Sequence, residues 1–411
     1  MREAPTRLLS PGFSALLGVA YLGFAQYHIL QAVLPVLIIS QGGNATVAGI
    51  VVAAHSLPSI LFRPSLGWLI DRVGPGLILG IAGALLALSG FAYFLPGIAL
   101  LIFARLLHGT AWSAFSAAGH ATLVRLAPQK RRVEAAGFYN LMAGVAQSTM
   151  PAAAFVLISA YGFLGGLALS AVCGVAALVL VVLLVRHGLA GERQRARAEQ
   201  APAPGRPLRQ RIGEVLIEPA VLRPLAVEVM YSSVQPLFLA FAPVYALTLG
   251  VPISFLPIYF LAYGSTLVGA RLILGARADR HDRLLLVRSG VSISLAALGV
   301  LVLWPSFAGL VVGGALFAIA TTLVSPTTMA LTMDLAPPGR VGSAMATYTL
   351  GFPLATGGSA AIWGVVIQHA GFPAPFLLGA LLHLVLLALL LVAGSRVLRV
   401  SDRSPIGHGS E

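Results

Sequence analysis

Of the titratable side chains inside long apolar runs of this sequence, where charge is least at home, three stand out: His28, Arg105 and Glu228. A carboxylate withdrawn from water needs a cation or a proton, which makes Glu228 a candidate proton carrier. It also has an ordinary reading, pairing near a helix end with Arg223, with the arginines of 187–221 or with polar groups beside Asn140. Imidazole titrates near neutrality, so His28 is the alternative proton site. Arg105 stays charged; it serves either the chemistry or a structural tie to a carbonyl or hydroxyl on the first helix. Amide, imidazole and aromatic side chains recur in the same runs: Gln26, Tyr27, Gln31, His55, His108, Trp112, Asn140, Gln147, Tyr231, Gln235, Tyr259, Tyr263 and Tyr348. Such groups suit a pocket for an amphipathic or hydroxylated solute, and each has ordinary helix packing as its competing role. His108 and His120 have no carboxylate or cysteine at ligand spacing, so neither a metal site nor another cofactor is expected.

The elements that must position these residues are membrane helices. Of 411 residues, 58% are hydrophobic and only 9% charged, with a mean hydropathy of +0.92; soluble domains carry about a quarter charged residues. A crossing of about 20 apolar residues satisfies its backbone internally as a helix. That ruler predicts twelve helices, near 13–39, 46–70, 77–95, 98–122, 135–159, 163–186, 222–248, 253–276, 285–304, 307–333, 343–368 and 373–395. The first is read as a retained helix rather than a cleaved leader, because no small-residue cleavage site precedes Pro35. Turn chemistry separates them, as at Gln41-Gly42-Gly43-Asn44 and Gly371-Phe372-Pro373.

Basic residues fall on one side only. The loops after even-numbered helices hold Arg72, Arg125, Lys130, Arg131, Arg132, the 186–223 arginines, Arg277, Arg280, Arg283 and Arg340, and those after odd-numbered helices hold none. The net charge of +13 is therefore topological and does not point to nucleic acid. Both termini are expected in the cytoplasm of a bacterial inner membrane. The single Cys173 rules out a disulfide framework.

Residues 187–221 are polar and rich in Pro, Gly and Arg, and divide the chain into a six-helix half (1–186), a cytoplasmic linker and a second six-helix half (222–411) with a short tail. The halves repeat each other. Arg63-Pro64-Ser65-Leu66-Gly67-Trp68-Leu69-Ile70-Asp71-Arg72 returns as Arg271-Leu272-Ile273-Leu274-Gly275-Ala276-Arg277-Ala278-Asp279-Arg280, and Leu126-Ala127-Pro128 with Arg131 returns as Leu335-Ala336-Pro337 with Arg340. Parallel repeats with a solute site between them are a transporter architecture.

On these residues the chain resembles the major facilitator superfamily over nearly its whole length. The family's loop motif, Gly-x-Leu-x-Asp-Arg-x-Gly, is complete as Gly67, Leu69, Asp71, Arg72 and Gly74; in the second copy Gly275, Asp279 and Arg280 persist, but the last glycine does not. Gly67 is expected to admit a neighbouring helix and Gly74 to take a left-handed exit. The resemblance implies a gate that locks the outward-facing state, with its partner near Gly357-Gly358. It also implies, through Arg105-Leu106-Leu107-His108-Gly109, that Arg105 takes part in proton coupling or substrate contact. The antiporter signature of the fifth helix is met only by Gly137, Gly144 and Pro151, with Met150 and Ala154-Phe155 departing from it.

The sequence thus predicts an all-α membrane protein of twelve helices in two six-helix halves. No nucleophile elbow, zinc-protease motif or phosphate-cradling loop is present, which argues against an enzyme or an ATP-driven pump. Resemblance to the twelve-span drug and sugar efflux branch implies proton-coupled efflux of a small organic solute by a monomer embedded in lipid. Proton-coupled uptake of a small, anionic metabolite is the alternative.

Overall fold

A computed structural model describes residues 8–188, 218–278, 281–337 and 340–397, and all regular elements among them are helical. Eleven helices are long and apolar enough to cross a bilayer, and a bent pair meeting at 45° supplies the twelfth crossing. In chain order they are α1 (Pro11–Ser40), α2 (Ala45–Ala54 and Ser56–Val73), α3 (Pro75–Ala92), α4 (Ile98–Leu126), α5 (Arg132–Tyr161) and α6 (Phe163–Leu183). The second half holds α7 (Leu222–Ser232, Gln235–Leu239 and Ala242–Thr248), α8 (Leu256–Ala278), α9 (Arg283–Leu303), α10 (Phe307–Leu335), α11 (Val341–Thr349 and Gly351–Ala370) and α12 (Pro373–Val397).

The predicted spans therefore hold in number and order, but α2, α7 and α11 are broken where continuous helices were expected. All the breaks share one cause. The pieces end at Ala54, Ser232, Leu239 and Thr349, and each of these stands four residues before a proline: Pro58, Pro236, Pro243 and Pro353. A proline ring offers no N–H to the carbonyl four residues back and clashes with it, so the ladder stops there. Pro35, Pro151 and Pro326 lie inside unbroken helices, so a proline does not suffice by itself.

Within the first half, α1 packs on α5 and α6, α3 on α4 and α6, and α2 on α4; in the second, α10 gathers α7, α8 and α9, with α12 closing on α9. The halves meet along two pairs of helices, α2 with α11 and α5 with α8. Small residues bring the first pair together: a Cβ on Gly49 would strike the Ala360 carbonyl, and one on Gly364 would lie 2.5 Å from the Ala45 carbonyl. The Ala45 N–H is met by Gln368 Oε1 at 3.1 Å. Residues 25–38 of α1 and 236–246 of α7 are buried without interruption, whereas Tyr21, Leu22 and Phe24 of α1 are partly exposed. The halves are packed closely at the end bearing the 41–44 and 371–372 loops.

Gly74 behaves as expected, ending α2 at φ +86° with its N–H on the Ile70 carbonyl. Gly67 does not, since a Cβ there would meet nothing within 4 Å. Gly358 is equally open, and Gly357 packs on Ser56. Asp279, Arg280 and residues 189–217 of the linker lie outside the described residues, as does the side chain of Asp71.

Candidate functional site

In the first half the break in α2 creates the need that Arg105 fills. The His55 N–H turns to the Ala53 carbonyl, leaving the Val51 carbonyl without its regular partner. Arg105, wholly buried in α4, donates from Nε to Val51 O at 3.2 Å and from Nη2 to Val52 O at 3.3 Å and Gln31 Oε1 at 3.0 Å. One guanidinium thus ties α4 to α2 and α1, while its Nη1 stays without a partner. The sequence anticipated a tie to α1 but not the two α2 carbonyls, because nothing in one sequence says which prolines break their helices.

An aromatic and imidazole cluster surrounds this tie. Tyr27 stacks on Trp112 with ring centroids 4.9 Å apart, and touches His28 and His55, both at 5.0 Å. His55 meets His108 edge-on at 4.9 Å, and Tyr93 Oη lies 3.3 Å from His108 Nδ1. Gly109 has no room for a side chain because the His55 carbonyl presses against it. Gln26 faces away: its amide donates to Leu86 O of α3 at 3.0 Å, beside Gly90 and Gly174.

In the second half Glu228 is buried in α7 and meets hydroxyls. Ser232 and Ser325 donate to Oε1 at 2.9 and 3.0 Å, and Thr328 donates to Oε2 at 2.8 Å. Tyr348 Oη lies 2.8 Å from Thr328 Oγ1 and donates to Ser325 O at 3.1 Å. The expected ordinary pairing of Glu228 with arginine is not found among the described residues; Arg340 instead pairs at 3.1 Å with Glu218. Tyr231 shares a 3.0 Å hydroxyl contact with Thr321.

Tyr259 caps the second break of α7, donating to Phe238 O at 2.6 Å, and Trp363 of α11 caps the first, donating to Ser233 O at 2.7 Å. Tyr263 is buried beside Tyr259, and Gln147 is buried in α5. Gln235 opens the middle piece of α7, and Asn140 is exposed in α5.

Two residues were missed as site candidates although the repeat had aligned them. Arg63 of α2 donates to Thr349 O of α11 at 3.0 Å, and Arg271 of α8 donates to Asn140 O of α5 at 3.2 Å. Each crosses from one half to the other. Their position inside a motif-bearing segment of both repeats was the available signal.

The model of the Major Facilitator Superfamily matches residues 15–302 and 278–407. The chain belongs to this superfamily. A curated relative, the staphylopine export protein of Staphylococcus aureus (strain Mu50 / ATCC 700699), is 30% identical over 122 residues, which is 30% of this chain and 31% of the exporter. The match thus spans under a third of that relative's length. Among solved superfamily folds, a peptide transporter POT in complex with sulfate superposes with a TM-score of 0.75 at 18% identity, covering 96% of this chain and 97% of that one. A D-xylose-proton symporter gives 0.71 at 15% identity over 92% and 96% of the two chains.

Proposed function

We propose that this superfamily member is a secondary active transporter that moves a small organic solute out of the cytoplasm by alternating access, driven by protons. The observation that carries the coupling is Glu228, a buried carboxylate held by three hydroxyls and by no cation among the described residues. A fixed cation would hold the carboxylate ionised. Hydroxyls donate to the charged form and can rotate to accept from the protonated one, so both forms are accommodated. His28, packed between Phe24 and Tyr27, is the rival proton site.

Alternation is supported by the close packing of the halves at the end bearing the 41–44 and 371–372 loops. The one-sided arginines support a cytoplasmic linker and termini, so that this conformation faces inward. Asp71 and Arg72, with their repeats Asp279 and Arg280, then form the gate of the opposite state. Export is favoured by the exporter match in sequence. Proton-coupled uptake of an anionic metabolite is the second reading, favoured by the buried guanidinium of Arg105 with its unpartnered Nη1. Uptake of labelled solutes into inside-out vesicles, with and without an imposed proton gradient, tests the reading. Accumulation that follows the gradient is expected; accumulation indifferent to it would remove the coupling, and accumulation only in right-side-out vesicles would reverse the direction.

A further inference from the structure

The hydroxyls beside Glu228 each have one proton and more than one acceptor. Thr328 Oγ1 reaches Glu228 Oε2 at 2.8 Å, and the Val324 and Ser325 carbonyls both at 3.1 Å. Tyr348 Oη lies 2.8 Å from Thr328 Oγ1 and 3.1 Å from the Ser325 carbonyl. A threonine bonding back to its own helix is ordinary, but here the alternatives match the two states of a carboxyl group. An ionised Glu228 only accepts, so the bonds run from Tyr348 to Thr328 to Glu228. A Glu228 protonated on Oε2 donates, and the chain reverses, running from Glu228 to Thr328 to Tyr348 and ending on the Ser325 carbonyl. Hydroxyl chains are strongest when all their bonds run one way. The state of Glu228 therefore sets what Tyr348 of α11 donates to.

Tyr348 is followed by Thr349, where the first piece of α11 ends. The Thr349 carbonyl is available because Pro353, four residues on, has no N–H to give it, and Arg63 of α2 fills it at 3.0 Å. Consecutive residues thus carry the outermost hydroxyl of the carboxyl site and a bond to the opposite half.

The internal repeat supplies a comparison. Gly119 and Tyr139 stand 209 positions before Thr328 and Tyr348, the spacing of Leu126 and Leu335. Asn140 follows Tyr139, and its carbonyl takes Arg271 of the opposite half at 3.2 Å. A Cβ on Gly119 would strike the Tyr139 hydroxyl, so this tyrosine packs on a glycine where its copy bonds a threonine, and α1 carries no carboxylate. Both halves place a tyrosine before a bridged carbonyl, but only the second links that tyrosine to an acid.

We propose that Tyr348 and Arg63 are positioning residues that transmit the protonation state of Glu228 to the contact between the halves. The inference rests on Glu228 as the proton site and adds how its proton reaches the moving parts. Reversal of the hydroxyl chain changes the tether of the first piece of α11 to α10, and with it the hold of Thr349 on Arg63. Tyr231 of α7 and Tyr348 face Glu228, and His383 of α12 meets the Tyr231 ring. Toward the linker end lie Arg223, the pair of Arg340 with the buried Glu218, and the pair of Arg283 with Asp334.

The test uses the full-length protein in lipid nanodiscs and needs no solute. Protonation of Glu228 is read from the infrared band of the neutral carboxyl group that Glu228→Gln removes. Conformation is read from the distance between spin labels at Val124→Cys and Met333→Cys, both exposed and equivalent in the repeats, in a Cys173→Ala background. In the wild type the band and the distance are expected to change over the same pH range, and Glu228→Gln should hold the low-pH distance at every pH. Arg63→Gln should keep the band's titration while the pH-dependent step in distance shrinks about tenfold. Arg63→Lys, which keeps a charged donor, should restore part of the step. Tyr348→Phe, which leaves Glu228 its direct donors, should move the step to higher pH and reduce it without removing it, because a hydroxyl that supports the ionised form is gone. Arg271→Gln should alter the distance alike at all pH values and retain the step. A step in Arg63→Gln equal to the wild type's, or one lost equally in Arg271→Gln, overturns the proposal. A wild-type band that titrates with no change in distance overturns it and leaves Glu228 as the proton site. A band that Glu228→Gln does not remove overturns the proton site and the proposal together.

Discussion

The two halves solve opposite versions of one problem. The first half buries a guanidinium, Arg105, and the second a carboxyl group, Glu228, and neither has an oppositely charged group beside it among the described residues. Arg105 is held by two backbone carbonyls and an amide oxygen, which accept hydrogen bonds and cannot donate them. Its partners suit only the charged guanidinium. Glu228 is held by serine and threonine hydroxyls, which turn about one bond and serve as donor or acceptor. On the proposed reading of Glu228, a site that takes and releases a proton has adaptable partners, while a permanent charge set on backbone acts as a fastener between helices.

Breaking the fastener should have the largest effect. Arg105→Leu leaves Val51 O, Val52 O and Gln31 without their donor, and because bonds to charged groups are worth about 1.5–3 kcal/mol each, a loss on the order of 3 kcal/mol or more is expected. Reduced abundance and a lower melting temperature in detergent are the readouts. Transport should fall with them; a stable Arg105→Leu protein that merely fails to couple protons would show that Arg105 belongs to the chemistry.

The adaptable site should respond differently. Glu228→Gln keeps the shape and the hydroxyl contacts, so stability should change by no more than about 1 kcal/mol. Solute exchange should persist while accumulation driven by a pH gradient falls at least tenfold, the mark of a lost proton carrier. His28→Gln should retain driven transport. If the two outcomes exchange, the proton resides on His28, and the contrast between the halves is lost, since both charged functions would then sit in the first.

The smallest effect is expected at Tyr348→Phe, which removes a hydroxyl shared with Thr328 and the Ser325 carbonyl but leaves Glu228 its direct donors. A cost of about 1 kcal/mol and a shift in the pH dependence of transport, with driven accumulation preserved, would mark Tyr348 as tuning the site. An unchanged pH profile would confine it to packing.

Much of this was legible in the sequence because apolar length, basic loops and internal repetition are linear properties. They yielded the number and order of spans and three titratable side chains that are buried, His28, Arg105 and Glu228. Which polar residues meet was less accessible. Gln26 and His28 lie two positions apart in α1, yet Gln26 serves α3 while His28 joins the aromatic cluster. Gly67, expected at a close helix contact, faces open space, while Gly49, Gly109 and Gly364 carry the tight approaches.

The sequence alone determined that this chain is a twofold-repeated bundle of membrane helices, since in hydrocarbon each span must bond its own backbone and a charge must be exceptional. Only the tertiary structure decided which prolines break a helix and what becomes of the carbonyls they release. Pro58, Pro236, Pro243 and Pro353 follow breaks, while Pro35, Pro151 and Pro326 do not interrupt their helices. The physical reason is that a freed carbonyl in a dry interior needs a donor, and that donor comes from another helix: Arg105 for Val51 and Val52, Trp363 for Ser233, Tyr259 for Phe238 and Arg63 for Thr349. Those partners are far away in sequence, and folding alone brings them to the break.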